Sequence, residues 1–180
     1  MNRLDRTFSR LRRQKRKALI AYLTAGYPSP KEMDRTARLL EHAGVDVLEV
    51  GIPFSDPVAD GPTIQYSSQK SLEKGTTLPR VLRWTRRFRK TSSLPVVFMS
   101  YLNPIHHYGY ARFAKDAAKA GGDGLIVPDL VPEESRALRK LLAVHGLHLI
   151  HLVAPTSPPA RQQRIARLTR GFLYAVSLTG

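Results

Sequence analysis

The sequence predicts a parallel α/β fold, a (β/α)8 barrel of which about six strand–helix units are present. Three observations carry this reading. Six apolar runs recur along the 180 residues, helix-patterned segments alternate with them, and no glycine-rich phosphate loop follows the first run. The runs are nearly continuous in apolar character, as strands buried on both faces of a parallel sheet are. Such an order suits either an open doubly wound sheet or a barrel. An open nucleotide-binding sheet carries GxGxxG or GxxxxGK[ST] after its first strand. TAGYPSP, residues 24–30, has neither, which favours the barrel.

The elements follow in order. Eight of the first seventeen residues are Lys or Arg, and this basic stretch reads as a helix. ALIAYLTA (18–25) is the first strand; it is too short and, with Tyr22 and Thr24, too polar for a secretory signal. PKEMDRTARLLEHAG (30–44) is a helix, with Pro30 at its start, Met33, Ala37 and Leu40 at helical spacing, and Gly44 as its stop. VDVLEVG (45–51), LPVVFMSY (94–101) and DGLIVP (123–128) are the next three strands. A helix at 110–122 ends in GGDG (121–124), which precedes a strand and so marks a helix stop, not a phosphate cradle. A helix at 131–146 carries acids in its first turn and Gly146 at its end, in accord with the helix dipole. LHLIHLVAP (147–155), a helix at 160–171 and GFLYAVS (171–177) complete the series. A complete barrel takes roughly 250 residues. The expectation is therefore a single domain over 1–180, an N-terminal helix plus strands one to six, with strands seven and eight absent.

Composition narrows the function. A chain with no cysteine has no disulfide scaffold, thiolate metal site or cysteine nucleophile. No apolar run reaches the eighteen or more residues of a membrane span, and a cytoplasmic location is expected. The net charge of +15 favours anionic partners, and RLRRQKRK (10–17) and WTRRFRK (84–90) concentrate it. Both clusters read as solvated helix faces. A nucleic-acid-binding module is motivated by the charge alone, since no aromatic RNA-binding signature accompanies it. His145, His148 and His151 do not form a metal site, because His148 and His151 fall in a strand-like run where they point to opposite faces. His106 and His107 read as loop surface.

The stretch EVGIPFSDPVADGP (49–62) carries the chemistry. Glu49 lies inside an apolar strand, at the strand end where a parallel barrel builds its active site. Apolar surroundings raise a carboxyl pKa and let it exchange a proton near neutral pH. Asp60, in the wetter loop that follows, stays ionised as a base or acceptor. A strand Glu can also be an ion-paired or edge residue, and Asp-Gly is also a common turn.

LEVGIPFSDPVADGPTIQ (48–65) closely resembles the signature of the tryptophan synthase alpha chain family. KALIAYLTAGYP (17–28), MSYLNP (99–104), VPDLVPEES (127–135) and LVAPTS (152–157) extend the resemblance over nearly the whole chain. It implies a TIM barrel and a lyase that cleaves indole-3-glycerol phosphate by a retro-aldol reaction to indole and glyceraldehyde 3-phosphate, in tryptophan biosynthesis. It implies Glu49 as general acid/base and Asp60 as acceptor for the indole N–H. Tyr22, Met99, Ile126, Leu152 and Tyr174 match substrate-pocket positions, and Asp56 and Pro57 match the region that meets a beta subunit in an alpha2beta2 assembly. No metal or cofactor is implied in this chain; pyridoxal phosphate is expected only in the beta partner. The family's phosphate site, after strands seven and eight, falls beyond Gly180. The alternative is an inactive homologue acting only through contact with a beta-type partner.

Overall fold

The computed structural model describes residues 2–177. Helix α1 (Arg3–Arg13) opens at Asn2, whose side chain accepts the Leu4 N–H at 2.9 Å. Strand β1 (Ile20–Thr24) leads to α2 (Pro30–His42), started by the Ser29 cap and Pro30. Strand β2 (Val47–Gly51) is followed by α3 (Pro62–Glu73) and α4 (Leu78–Phe88). Then come β3 (Val96–Met99), α5 (Leu102–Tyr108), α6 (Tyr110–Ala120) and β4 (Gly124–Ile126). The last elements are α7 (Arg136–Val144), β5 (His148–Ile150), β6 (Leu152–Val153), α8 (Pro159–Leu168) and β7 (Tyr174–Ala175).

Strands β1 to β5 pair in chain order, every pair parallel, and β6 pairs in parallel with β7. The fifth apolar run is thus two strands: at His151 the chain leaves β4 and takes β7 as its neighbour. The His151 amide explains the break, since it donates to the Thr169 hydroxyl at 3.0 Å instead of to a strand. Two further expectations are corrected. The 131–146 helix begins only at Arg136, after turns, so its acids precede the first turn. Glu133 faces Arg161 of α8 at 3.0 Å instead of capping its own helix. Helices α3 and α5 fill segments to which the sequence reading assigned no helix, and α4 extends the helix face read at 84–90 back to Leu78.

The period-2 geometry of the strands sorts side chains into two cores. Leu48, Val50, Val96, Phe98, Leu125 and Leu149 face outward and pack under the helices with Trp84, Phe88, Phe113 and Leu142. Val47, Val97, Ile126 and Ile150 face inward. There Leu4 and Phe8 of α1 meet them, so the N-terminal helix plugs one end of the barrel. Each Leu-sized side chain buried in this way contributes about 1.5–3 kcal/mol.

Polar clamps fasten that plug. Asp46, just before β2, accepts from Arg10, Arg16 and the Leu19 N–H. Asp123, just before β4, accepts from Arg3 at 3.0 Å, Arg89 at 3.3 Å and the Val96 N–H at 2.9 Å. The Asn2 amide donates at 2.7 Å to the Asp123 and Gly146 carbonyls, and His148 meets Asp5 at 2.9 Å. The two basic clusters are therefore not purely solvated faces. His148 points inward to α1 while His151 lies 3.4 Å from Ser135 on the helix side, the opposed orientation expected of them.

Candidate active site at the strand ends

Glu49 sits on the inward face of β2. Its neighbours on that face are Tyr22 of β1 and Val97 of β3 across the sheet, and Val47 and Gly51 along the strand. Burial in this apolar frame pushes its pKa up to about 7. No hydrogen bond or ion pair to the Glu49 carboxylate exists among the described residues.

Gly51 holds this geometry open. A Cβ there would lie 2.0 Å from the Tyr22 hydroxyl, so the Tyr22 ring can lean over β2 only because position 51 has no side chain. The hydroxyl is 3.5 Å from Thr24 Oγ1, which in turn shares a 2.7 Å hydrogen bond with Ser67 of α3. Desolvation moves the Tyr22 pKa up to about 12, and the Asp60 and Glu49 carboxylates, which line the same cavity, add to the shift.

Asp60 lies in the β2–α3 loop, half-buried. Desolvation raises its pKa, and hydrogen bonding from the Tyr101 hydroxyl partly opposes the rise. The same hydroxyl accepts the Ala59 N–H at 2.8 Å, so Tyr101 at the end of β3 pins the acidic loop over the barrel. Phe54 packs on the Tyr101 ring with centroids 5.4 Å apart.

A cavity of about 490 Å³ opens between these groups, lined by Ile20, Tyr22, Glu49, Asp60, Ile64, Met99, Phe172 and Tyr174. A second space of about 790 Å³ shares Asp60, Met99 and Tyr174 and adds Leu130, Leu152 and Ile165. Two carboxyl groups with different surroundings, within one mostly apolar chamber bounded by tyrosines, suit proton transfer to and from a bound substrate. Burial also raises the Tyr174 pKa, with Glu49 and Asp60 contributing.

Of the residues singled out from the sequence, Glu49, Asp60, Tyr22, Met99, Leu152 and Tyr174 line this connected space. Ile126 does not. It is fully buried in the inner core with Leu4, Val47, Val97 and Ile150, and lines neither space. Asp56 and Pro57 lie at the outer rim of the loop, with Asp56 exposed and bonded to the Ser55 hydroxyl. Sequence reasoning passed over Tyr101, Ile64 and Phe172. An aromatic at a strand's carboxyl end was the available signal for Tyr101.

The family model for the tryptophan synthase alpha chain matches residues 8–180. The chain is 47% identical over 180 residues to the tryptophan synthase alpha chain of Pelobacter propionicus, covering all of this chain and 67% of that one. It is 49% identical over 181 residues to that of Laribacter hongkongensis, covering 69% of it. The crystal structure of tryptophan synthase subunit alpha from Legionella pneumophila str. Paris superimposes with a TM-score of 0.95 at 44% identity, over 98% of this chain and 68% of that one. The chain thus spans about two-thirds of the length of these relatives.

Proposed function

The chain belongs to the tryptophan synthase alpha family, lyases that cleave indole-3-glycerol phosphate in tryptophan biosynthesis, and on that premise we propose that Glu49 and Asp60 are its acid/base pair for this cleavage. Protonated Glu49 gives its proton to the ring carbon that bears the glycerol chain. Its carboxylate then takes the proton of the hydroxyl on the adjoining chain carbon. The carbon–carbon bond breaks, the hydroxyl carbon becomes the aldehyde of glyceraldehyde 3-phosphate, and the bonding pair returns to the indole ring. Asp60 accepts the indole N–H and stabilises the positive charge that the ring carries after protonation.

One observation carries the reading: Glu49 is buried against the cavity, with a pKa near neutrality and no partner among the described residues. A carboxyl group half-ionised near pH 7 can act as acid in one step and base in the next. Tyr22, Met99, Leu152 and Tyr174 supply flat apolar walls for the indole. Ile126 supports those walls from the inner core. The family partners with a beta subunit, and we assign Asp56 and Pro57, on the exposed rim beside Asp60, to that contact. No described helix is long and apolar enough to cross a membrane.

Indole release from indole-3-glycerol phosphate, with and without a beta subunit, tests the reading. Glu49→Gln is expected to lower turnover by about 10²–10⁴-fold while leaving the fold intact. Turnover of Glu49→Gln equal to that of the parent chain would remove Glu49 from the mechanism.

A further inference from the structure

On the outside of the barrel, away from Glu49, α7 and α8 enclose a groove of about 420 Å³. Four guanidinium groups line it: Arg136 and Arg139 from α7, Arg164 and Arg167 from α8. Its lining has only Pro132 in common with the spaces around Asp60. Each helix contributes its pair at i, i+3, the spacing at which like charges on a helix repel. Glu133 is the one carboxylate on the groove wall. It is drawn to the rim, where it meets Arg161 at 3.0 Å and Arg164 at 3.6 Å. Arg136 and Arg167 have no side-chain hydrogen bond or ion pair among the described residues. Arg139 is half-buried on the same wall, its Nε lying below the surface without a hydrogen-bond partner among the described residues.

We propose that this groove binds a small phosphate-bearing anion, a phosphate monoester or a diphosphate, between the two arginine pairs. The planar guanidinium fork matches phosphate oxygens, and four lining arginines against one carboxylate leave an excess of positive charge that suits an anion of at least two charges. The volume falls in the range of small-molecule sites, about 300–1,000 Å³. A nucleic-acid strand fits less well. Among the described residues no aromatic side chain lines the groove for base stacking, and Glu133 sets a carboxylate on its wall.

Calorimetric titration of the chain with inorganic pyrophosphate at about 150 mM salt, the ionic strength at which long-range attraction between exposed charges is largely screened, tests the site. Four proteins are compared. They are the parent chain, R136E/R167E at two exposed groove positions, R86E/K115E with the same charge change at exposed positions elsewhere, and R139K, which keeps the charge but removes the planar guanidinium fork. The expected result is one pyrophosphate per chain, weakened about tenfold or more in R136E/R167E and several-fold in R139K. R86E/K115E is expected to stay within about twofold of the parent, as surface changes away from a site do. Absence of binding to the parent chain would overturn the proposal. Equal weakening in both double variants would reduce it to attraction by net charge. Displacement of pyrophosphate by a short DNA duplex that binds more tightly would replace it with a nucleic-acid surface.

Discussion

Asp46 and Asp123 at one end of the barrel and Glu49 toward the other are buried alike, at 4%, 2% and 5% exposure. Their partners differ completely. Each aspartate is met by two arginines and a backbone N–H. Glu49 faces a cavity with no partner. A buried charge without compensation is expensive, so a chain that compensates two carboxylates and leaves a third bare has kept the third for something that arrives later. The plugged end shows that arginines were available to this fold. Beside Glu49 the described residues place none, so the rise that burial gives its pKa is not opposed.

Breaking the paired end gives the largest expected loss of stability. Asp123→Ala leaves the Val96 N–H without its acceptor and takes the carboxylate from Arg3 and Arg89, although Arg89 keeps its bonds to the Gly121, Ser92 and Leu94 carbonyls; removing one partner of such a buried pair costs about 3–5 kcal/mol. Denaturant unfolding at neutral pH measures it. A loss below about 1 kcal/mol would mean that α1 does not depend on this clamp.

The opposite result is expected at the bare end. Burial raises the Glu49 pKa from 4.5 to about 7, so the folded state holds that proton more tightly than the unfolded chain. The stability from this proton is fully present below about pH 4.5 and is lost as pH rises through about 7. The shift corresponds to on the order of 3 kcal/mol. Glu49→Gln, neutral at every pH, is therefore expected to be more stable than the parent at pH 8 and to flatten the stability profile between pH 4.5 and 7. Unfolding curves at pH 5 and pH 8 decide the matter. A parallel pH dependence in both proteins would place the titration elsewhere.

A smaller effect sharpens the comparison from within the mouth. Gly51→Ala drives a methyl group into the Tyr22 hydroxyl, an overpacking change worth about 1–3 kcal/mol. Gly51→Ala in a Tyr22→Ala background is expected to recover most of that loss. Double-mutant unfolding measures the coupling, and additive losses would show that Tyr22 moves aside freely.

Much of this was legible in the residues. The continuous apolar strands, the helix stops at Gly44, Gly121 and Gly146, and the acid within β2 all stand where their local chemistry put them. Helix α3 was hidden because its buried face is built from Ser67, Ser68 and Ser71, residues whose composition reads as loop. Ser67 and Ser71 are satisfied by Thr24 and by the Ala25 carbonyl, which only the fold brings close. Helix α4 was read from its charge as a solvated face at 84–90, although Val81, Leu82, Trp84 and Phe88 form a buried stripe that begins further upstream. The Asp46 and Asp123 clamps were beyond reach, since Asp46 lies 30 and 36 residues from its arginines, and Asp123 lies 34 and 120 from its own. The division at His151 likewise depends on a hydroxyl eighteen residues away.

The plug at the barrel's end also carries a consequence for the order of folding. Helix α1 precedes in the chain everything that it fastens to; beside the shorter tie of Arg10 to Asp46, its ties to Asp123, Gly146 and His148 close loops of 120 to 144 residues. Contacts of such separation repay their loop entropy only once the intervening strands are in place. Strands β1 to β5, each pairing with its neighbour in sequence, can zip in order without that helix. The segment met first along the chain is thus the last to be locked, and its docking completes the barrel instead of starting it.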